Sequence, residues 1–249
     1  MLATRDVTLQ LVEELFAADR VMGDSSQLRA VLSDPSSEIE QKRAVIAAVF
    51  GSSLHTTAQG LLGVVAGNRW SSDRDLLDGI EELAYRVAAE SAGSTVSIDT
   101  ELFAFDAAVS SDNELELAVG SKLDDSGAKV ALVERLLAKR VSPQTLAIVR
   151  HLVQAPRGRR IGAALRHAAS VVADQAGLSV ATVTSASPIA AAQLSRLRKA
   201  LSASYGRELR INQVVDPSII GGLRVQLGDD VIDGSIASRL GELRLQLAV

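Results

Sequence analysis

The sequence predicts a mainly α chain: a helical bundle region, itself duplicated, followed by a small C-terminal α+β domain laid out strand–helix–strand–strand–helix. Three observations predict this. Apolar residues recur at spacings of three and four through the first 177 residues. The same grammar of helices returns after about 87 positions. From Leu178 the texture turns to β-branched and alternating. The boundaries that follow are 1–96 for helical copy A, 97–177 for helical copy B and 178–249 for the α+β domain.

The first helix carries Val7, Leu11, Leu15, Ala18 and Met22 on one face. Asp34 reads as an N-cap with Pro35 at the first helical position of the next major helix. That helix carries Ile39, Ile46, Val49 and Phe50 and stops at Gly51. Leu54 to Val65 and Asp73 to Glu90 complete the first set.

The second set opens with Leu102 to Val109, a short helix from Glu114 to Val119, and Ala128 to Lys139 with Val130, Val133 and Leu137 on one side. Ser142-Pro143 repeats the cap-then-proline start. Ala155-Pro156 ends that helix, because a residue before proline is pushed out of the α region. Ile161 to Ala176 closes the set, with Gly177 as its C-cap. Shifted by 87, Leu28 falls on Leu115, Lys42 on Lys129, Ile46 on Val133 and Phe50 on Leu137. This reads as an internal duplication; coincidence between two sets of apolar helices is the alternative.

In the last part, Ser179 to Thr184 is a strand. Ser187-Pro188 reads as the cap of a helix with Leu194, Leu197 and Leu201 on one side. Strands follow at Glu208 to Val215 and Leu223 to Leu227, with a short one at Val231-Ile232 after the turn Gly228-Asp229-Asp230. Asp233-Gly234-Ser235 breaks the chain before a final helix with Ile236, Leu240, Leu243 and Leu247 on one face. All five prolines fall at inferred boundaries, so local and global signals agree.

Composition narrows the function. No cysteine is present, so thiol nucleophiles, disulfides and thiolate metal sites are excluded. A net charge of −4 gives no general attraction for phosphate backbones, and 3% aromatics leave little base-stacking surface, so no nucleic acid partner is expected. Charges break every apolar stretch well before the roughly 18 residues of a spanning helix, and the start of the chain lacks an apolar signal region, so no direct membrane insertion is expected. Phosphate-loop, dinucleotide, nucleophile-elbow and zinc-helix motifs are all absent. His55, His151 and His167 are far apart in sequence and read as surface or part-buried residues. The expectation is no catalytic residue, no cofactor and no metal. Asp229-Asp230 and Asp124-Asp125 read as solvated turn and helix-start acids.

Two features stay open. Arg157-Gly158-Arg159-Arg160, with Arg166 and His167, is either a solvated loop, an anion patch or a docking spot for an acidic helix, the first being favoured by the acidic balance of the chain. Trp70 is either an interface anchor or a lid over a helical core.

Val215-Asp216-Pro217-Ser218-Ile219-Ile220-Gly221-Gly222-Leu223-Arg224-Val225, then Gly228-Asp229-Asp230-Val231-Ile232-Asp233-Gly234-Ser235-Ile236 and Arg239-Leu240, closely resemble the delta subunit of F-type ATP synthases, the oligomycin-sensitivity-conferring protein family. Asp34-Pro35 with Gln41-Lys42-Arg43, and Asn68-Arg69-Trp70 before a long helix, are similar to landmarks of its helical domain. Two helical copies instead of one resemble the enlarged actinobacterial form.

The resemblance implies a non-catalytic linker. It would join the α/β catalytic head, through N-terminal helices of the α subunits, to a b-type stalk subunit, and resist rotor torque during proton-driven synthesis. It implies a peripheral location on the cytoplasmic face of the bacterial cell membrane. It places Gly221, Gly222, Asp233, Gly234, Ser235 and Arg239 in a motif that shapes the α+β domain or meets the stalk. The family's chain opens with a further amphipathic helix that helps form the α-binding groove; it is not found here, so no residue is assigned to that groove. A generic adaptor for amphipathic helices is the alternative function.

Overall fold

The computed structural model describes residues 7–93, 95–120, 126–206, 208–228 and 230–236. The chain divides into two compact units, Met1–Val172 and Ala173–Val249.

In the first unit the helices are α1 (Leu9–Asp24), α2 (Ser26–Ser33), α3 (Ile39–Phe50), α4 (Thr56–Ala66), α5 (Asp73–Ala92), α6 (Ile98–Ser111), α7 (Asn113–Gly120), α8 (Ser126–Leu137) and α9 (Pro143–Gln154), followed by α10 (Ile161–Gln175). The repeat is visible helix by helix: α2 and α7, and α3 and α8, have bounds 87 positions apart. Burial follows the same step. Lys42, Ile46 and Phe50 are the buried residues of α3, and Lys129, Val133 and Leu137 those of α8. A lysine on a buried face needs an acceptor, and Lys42 Nζ donates to the Ala66 carbonyl at 2.9 Å. One hydrophobic core nonetheless runs through both sets, from Leu11 and Leu15 through Ile80 and Leu102 to Ile148 and Leu165.

Ser142 caps α9 as the sequence indicates, accepting from the Thr145 N–H, with Pro143 in the first turn. Asp34-Pro35 does not start a helix. Asp34 follows the end of α2, and its carboxylate accepts from the Ser36 N–H at 2.8 Å and from the Ser36 hydroxyl at 2.7 Å. The aspartate thus closes a local turn instead of capping a helix, a competition inherent to this side chain. α3 begins at Ile39, where Gln41 Oε1 accepts from the Glu38 N–H at 3.3 Å.

The second unit holds β1 (Ser179–Ser185), α11 (Ala191–Tyr205), β2 (Leu209–Val215), β3 (Leu223–Leu227) and β4 (Asp230–Asp233). The sheet order is β2-β1-β3-β4. β1 pairs parallel with β2, which the α11 crossover permits. β3 runs antiparallel to both β1 and β4. Ala181, Val183, Leu209, Val225 and Leu227 form the core with Leu201 of α11. α11 starts three residues after Pro188, behind Ala190, and lacks a side-chain cap; Ser187-Pro188 is therefore not its cap. The Ser187 carbonyl instead accepts from the Ser185 hydroxyl at 2.8 Å. The final helix beyond Ile236, like Asp124, Asp125 and Asp229, lies outside the described residues.

Candidate interaction sites

The double-glycine motif forms a close backbone junction. Gly221 and Gly222 both have left-handed backbones, with φ of +65° and +80°. A Cβ on Gly222 would stand 2.4 Å from the Gly234 carbonyl oxygen and 2.8 Å from Ser235 Cα. Only glycine meets both demands. The Gly234 N–H donates to the Leu223 carbonyl at 2.9 Å and the Ile236 N–H to the Gly221 carbonyl at 3.3 Å. Asp233 Oδ1 accepts from the Ser235 N–H at 2.9 Å. Hydrogen bonds from Ser235 hold the Asp233 carboxyl below its usual range. Five of the six motif residues therefore meet at one place, where β3 begins and β4 ends. Arg239 lies outside the described residues.

The basic stretch after α9 is solvated only in part: Gly158 and Arg160 are exposed, while Arg157 and Arg159 turn inward. Arg157 pairs with Asp19 of α1 and, at 3.3 Å, with Asp78 of α5. Arg159 pairs with Glu81 at 2.6 Å. Arg166 holds both oxygens of Asp106, at 3.1 and 2.9 Å. His151 is not at the surface either: its side chain is 0% exposed, with Nε2 3.2 Å from both Asp19 Oδ2 and Glu81 Oε1. Its ring stacks on Phe16, centroids 4.3 Å apart and planes 15° apart.

Asp19, Glu81, His151, Arg157 and Arg159 form one largely buried charge cluster. Burial alone would raise the Glu81 carboxyl; hydrogen bonds from His151 and Arg159 and the Arg159 charge outweigh it and hold Glu81 far below the usual carboxylate range. Burial likewise disfavours the charged Arg159, but Glu81 reverses the balance and its guanidinium is held more tightly protonated. Tyr85 is pushed well above its ordinary value, first by burial and then by the Glu81 charge.

Sequence reading missed this cluster, although it left a signal. Asp19 falls on the apolar stripe of α1 between Leu15 and Met22, and Glu81 between Leu77 and Ala84 of α5. A charge on an apolar stripe asks for a buried partner. Trp70 is a lid: its indole N–H donates to the Val65 carbonyl at 2.8 Å, and its ring lies so close over Gly79 that a Cβ there would be 2.2 Å away.

Among the described residues no group of side chains could hold a metal ion, and no helix is long and apolar enough to cross a membrane. Both units offer junctions and faces.

Known proteins of one family match this chain along nearly its whole length. The family model "ATP synthase delta (OSCP) subunit" matches twice, over residues 2–86 and 82–247. The ATP synthase subunit delta of Leifsonia xyli is 58% identical over 240 residues, covering 96% of this chain and 90% of its own. That of Acidothermus cellulolyticus is 42% identical over 238 residues, covering 94% and 87%. That of Streptomyces avermitilis is 39% identical over 243 residues, covering 96% and 89%. A chain of the Toxoplasma gondii mitochondrial ATP synthase hexamer is 24% identical over 68% of this chain and 97% of its own, at a TM-score of 0.40, too loose a superposition to argue from. The chain is a structural, non-catalytic subunit of a larger assembly. It belongs to the ATP synthase delta (OSCP) subunit family, in an enlarged form with two matches to that family along its length.

Proposed function

We propose that this chain is the static linker of a rotary ATP synthase. Its helical unit grips N-terminal helices of the α subunits in the catalytic head. Its α+β unit holds a b-type stalk subunit, and the tie resists rotor torque during proton-driven synthesis. In this reading it sits on the cytoplasmic face of the cell membrane, held there by its partners. The observation that carries the reading is the second family match. It begins at residue 82 and runs through both the second helical set and the α+β unit, so one complete family-like module follows an additional helical copy. The division into copy A (1–96), copy B (97–177) and the α+β domain (178–249) belongs to the same proposal.

Gly221, Gly222, Asp233, Gly234 and Ser235 give the α+β unit its shape in this account, and Arg239 is the motif's candidate stalk contact. Charge reversal at Arg239 that left stalk binding intact would remove that contact role.

The test is affinity capture of the tagged full chain from detergent-solubilised membranes of the source organism, read by mass spectrometry. Recovery of head α and β subunits with a b-type subunit supports the linker. Recovery of the stalk alone limits the chain to one partner. Recovery of neither, with a folded bait, points to a generic helix adaptor.

A further inference from the structure

The two helical sets are not used alike, although they repeat. Position 64 of α4 corresponds, 87 residues on, to position 151 of α9. Val64 is 57% exposed, while His151 is 0% exposed. The face of α9 is therefore covered where that of α4 is open. What covers it is α1 and α5: His151 stacks on Phe16, and Arg150 Nη2 reaches Glu13 at 2.7 Å. Beyond the helix, Arg157 and Arg159 insert between Asp19, Asp78 and Glu81. The Arg157 carbonyl also accepts from Arg74 of α5 at 3.2 Å. Arg150 and His151 stand where α4 has Gly63 and Val64, so this chemistry belongs to the seam and not to the repeat.

The charges are matched for enclosure. Asp19 and Glu81 are 0% and 1% exposed, and the cations that face them all come from the α9 side. Removing one side of a buried ion pair is far costlier than removing both, because an uncompensated charge remains in a poorly solvating place. The seam therefore has a strong preference for one occupant of one charge pattern.

We propose that the α1/α5 face of copy A is a helix-docking face filled from within the chain, with α9 and the Arg157–Arg159 turn as its built-in ligand and Asp19, Asp78 and Glu81 as the lock that closes it to other partners. The occupant it fits is an amphipathic helix followed by arginines. Any partner of the helical unit then docks on another face. The inference rests on the seam alone and stands whether or not the linker reading holds.

Hydrogen exchange of the full chain tests it. Arg157→Met with Arg159→Met leaves the buried Asp19 and Glu81 carboxylates with His151 as their shared neighbour and without their arginines, and exchange in α1, α5 and α9 is expected to accelerate by roughly 100-fold or more. A labelled peptide spanning residues 142–161 is expected to bind this variant and not the parent, whose face is already filled. Adding Asp19→Asn and Glu81→Gln removes both signs of charge and should restore slow exchange and exclude the peptide. Should the double variant fail to fold, this fourfold variant still decides, since its folding supports the lock. Unchanged exchange in the double variant, peptide binding to the parent, or no recovery in the fourfold variant would each overturn the proposal.

Discussion

Glu14 and Glu101, 87 positions apart, do the same work: each accepts the backbone N–H of the residue 41 positions further on, His55 and Ser142, at 3.0 Å in both cases. Each carboxylate thereby sits at the N-terminus of a following helix, α4 or α9, where negative charge is favoured. Each glutamate also has two side-chain partners: the Ser142 hydroxyl at 2.7 Å and the Thr145 hydroxyl donate to Glu101, while Gln10 Nε2 donates to Glu14 at 3.1 Å and the His55 ring nitrogen Nδ1 stands 2.5 Å from it.

Glu101→Ala and Glu14→Ala are therefore each expected to cost about 1–2 kcal/mol, because each leaves a helix-start N–H and its neighbouring groups without their acceptor. Trp70 is the one tryptophan and lies in the helical unit, so its fluorescence in urea reports that unit directly. A loss below about 0.5 kcal/mol in either variant would contradict this equivalence.

The seam predicts a large cost inside and almost none outside. Phe16→Ala removes the ring under His151 and is expected to cost about 3–5 kcal/mol. Val64→Ala, on the open face of α4, should stay within about 0.5 kcal/mol. The same fluorescence titration measures both.

Acid sensitivity follows from Glu81. Its carboxyl is held lower in the folded chain than in the unfolded one, so its stabilisation is present above the unfolded value of about 4.3 and is lost as pH falls below it. Asp106 acts in the opposite sense: burial, only partly offset by Arg166, raises it, so its contribution is present at low pH and lost as pH rises through the folded value. In Glu81→Gln the fall in helical-unit stability from pH 5 to pH 3 should be shallower than in the parent. In Asp106→Asn it should be steeper. Parallel pH profiles for all three chains would refute the assignment.

In the α+β unit, Gly222→Ala meets a left-handed backbone and the Gly234 carbonyl together, whereas Gly228→Ala meets only a left-handed backbone with open space around it. The first should cost more than about 2 kcal/mol and the second about 1 kcal/mol. Amide exchange at Val183, in the middle of the central strand β1, reads the difference.

Much of this was legible because it is local or periodic. The Ser142-Pro143 start, the apolar alternation of Leu223, Val225 and Leu227, and the 87-residue step are all properties of neighbouring residues or of repetition. The double-glycine junction was legible as part of a motif that shapes the α+β domain, whereas its contact with the Gly234 carbonyl depends on the strand pairing that brings the two segments together. Asp34-Pro35 misled because an aspartate's carboxylate serves a turn as readily as a helix start. The seam stayed hidden for a different reason. Asp19 meets Arg157 across 138 residues and Glu81 meets Arg159 across 78, and nothing local announces such partners. A stray charge on an apolar stripe marks that a partner exists without naming it.

The linker account is tested most directly by coupling in membrane vesicles of the source organism from which this chain has been removed. ATP hydrolysis by the head and ATP-driven proton pumping are measured side by side, with and without the purified chain added back. The account predicts that hydrolysis persists without the chain while pumping is lost, and that adding the chain restores pumping. Pumping that proceeds undiminished in its absence would contradict it.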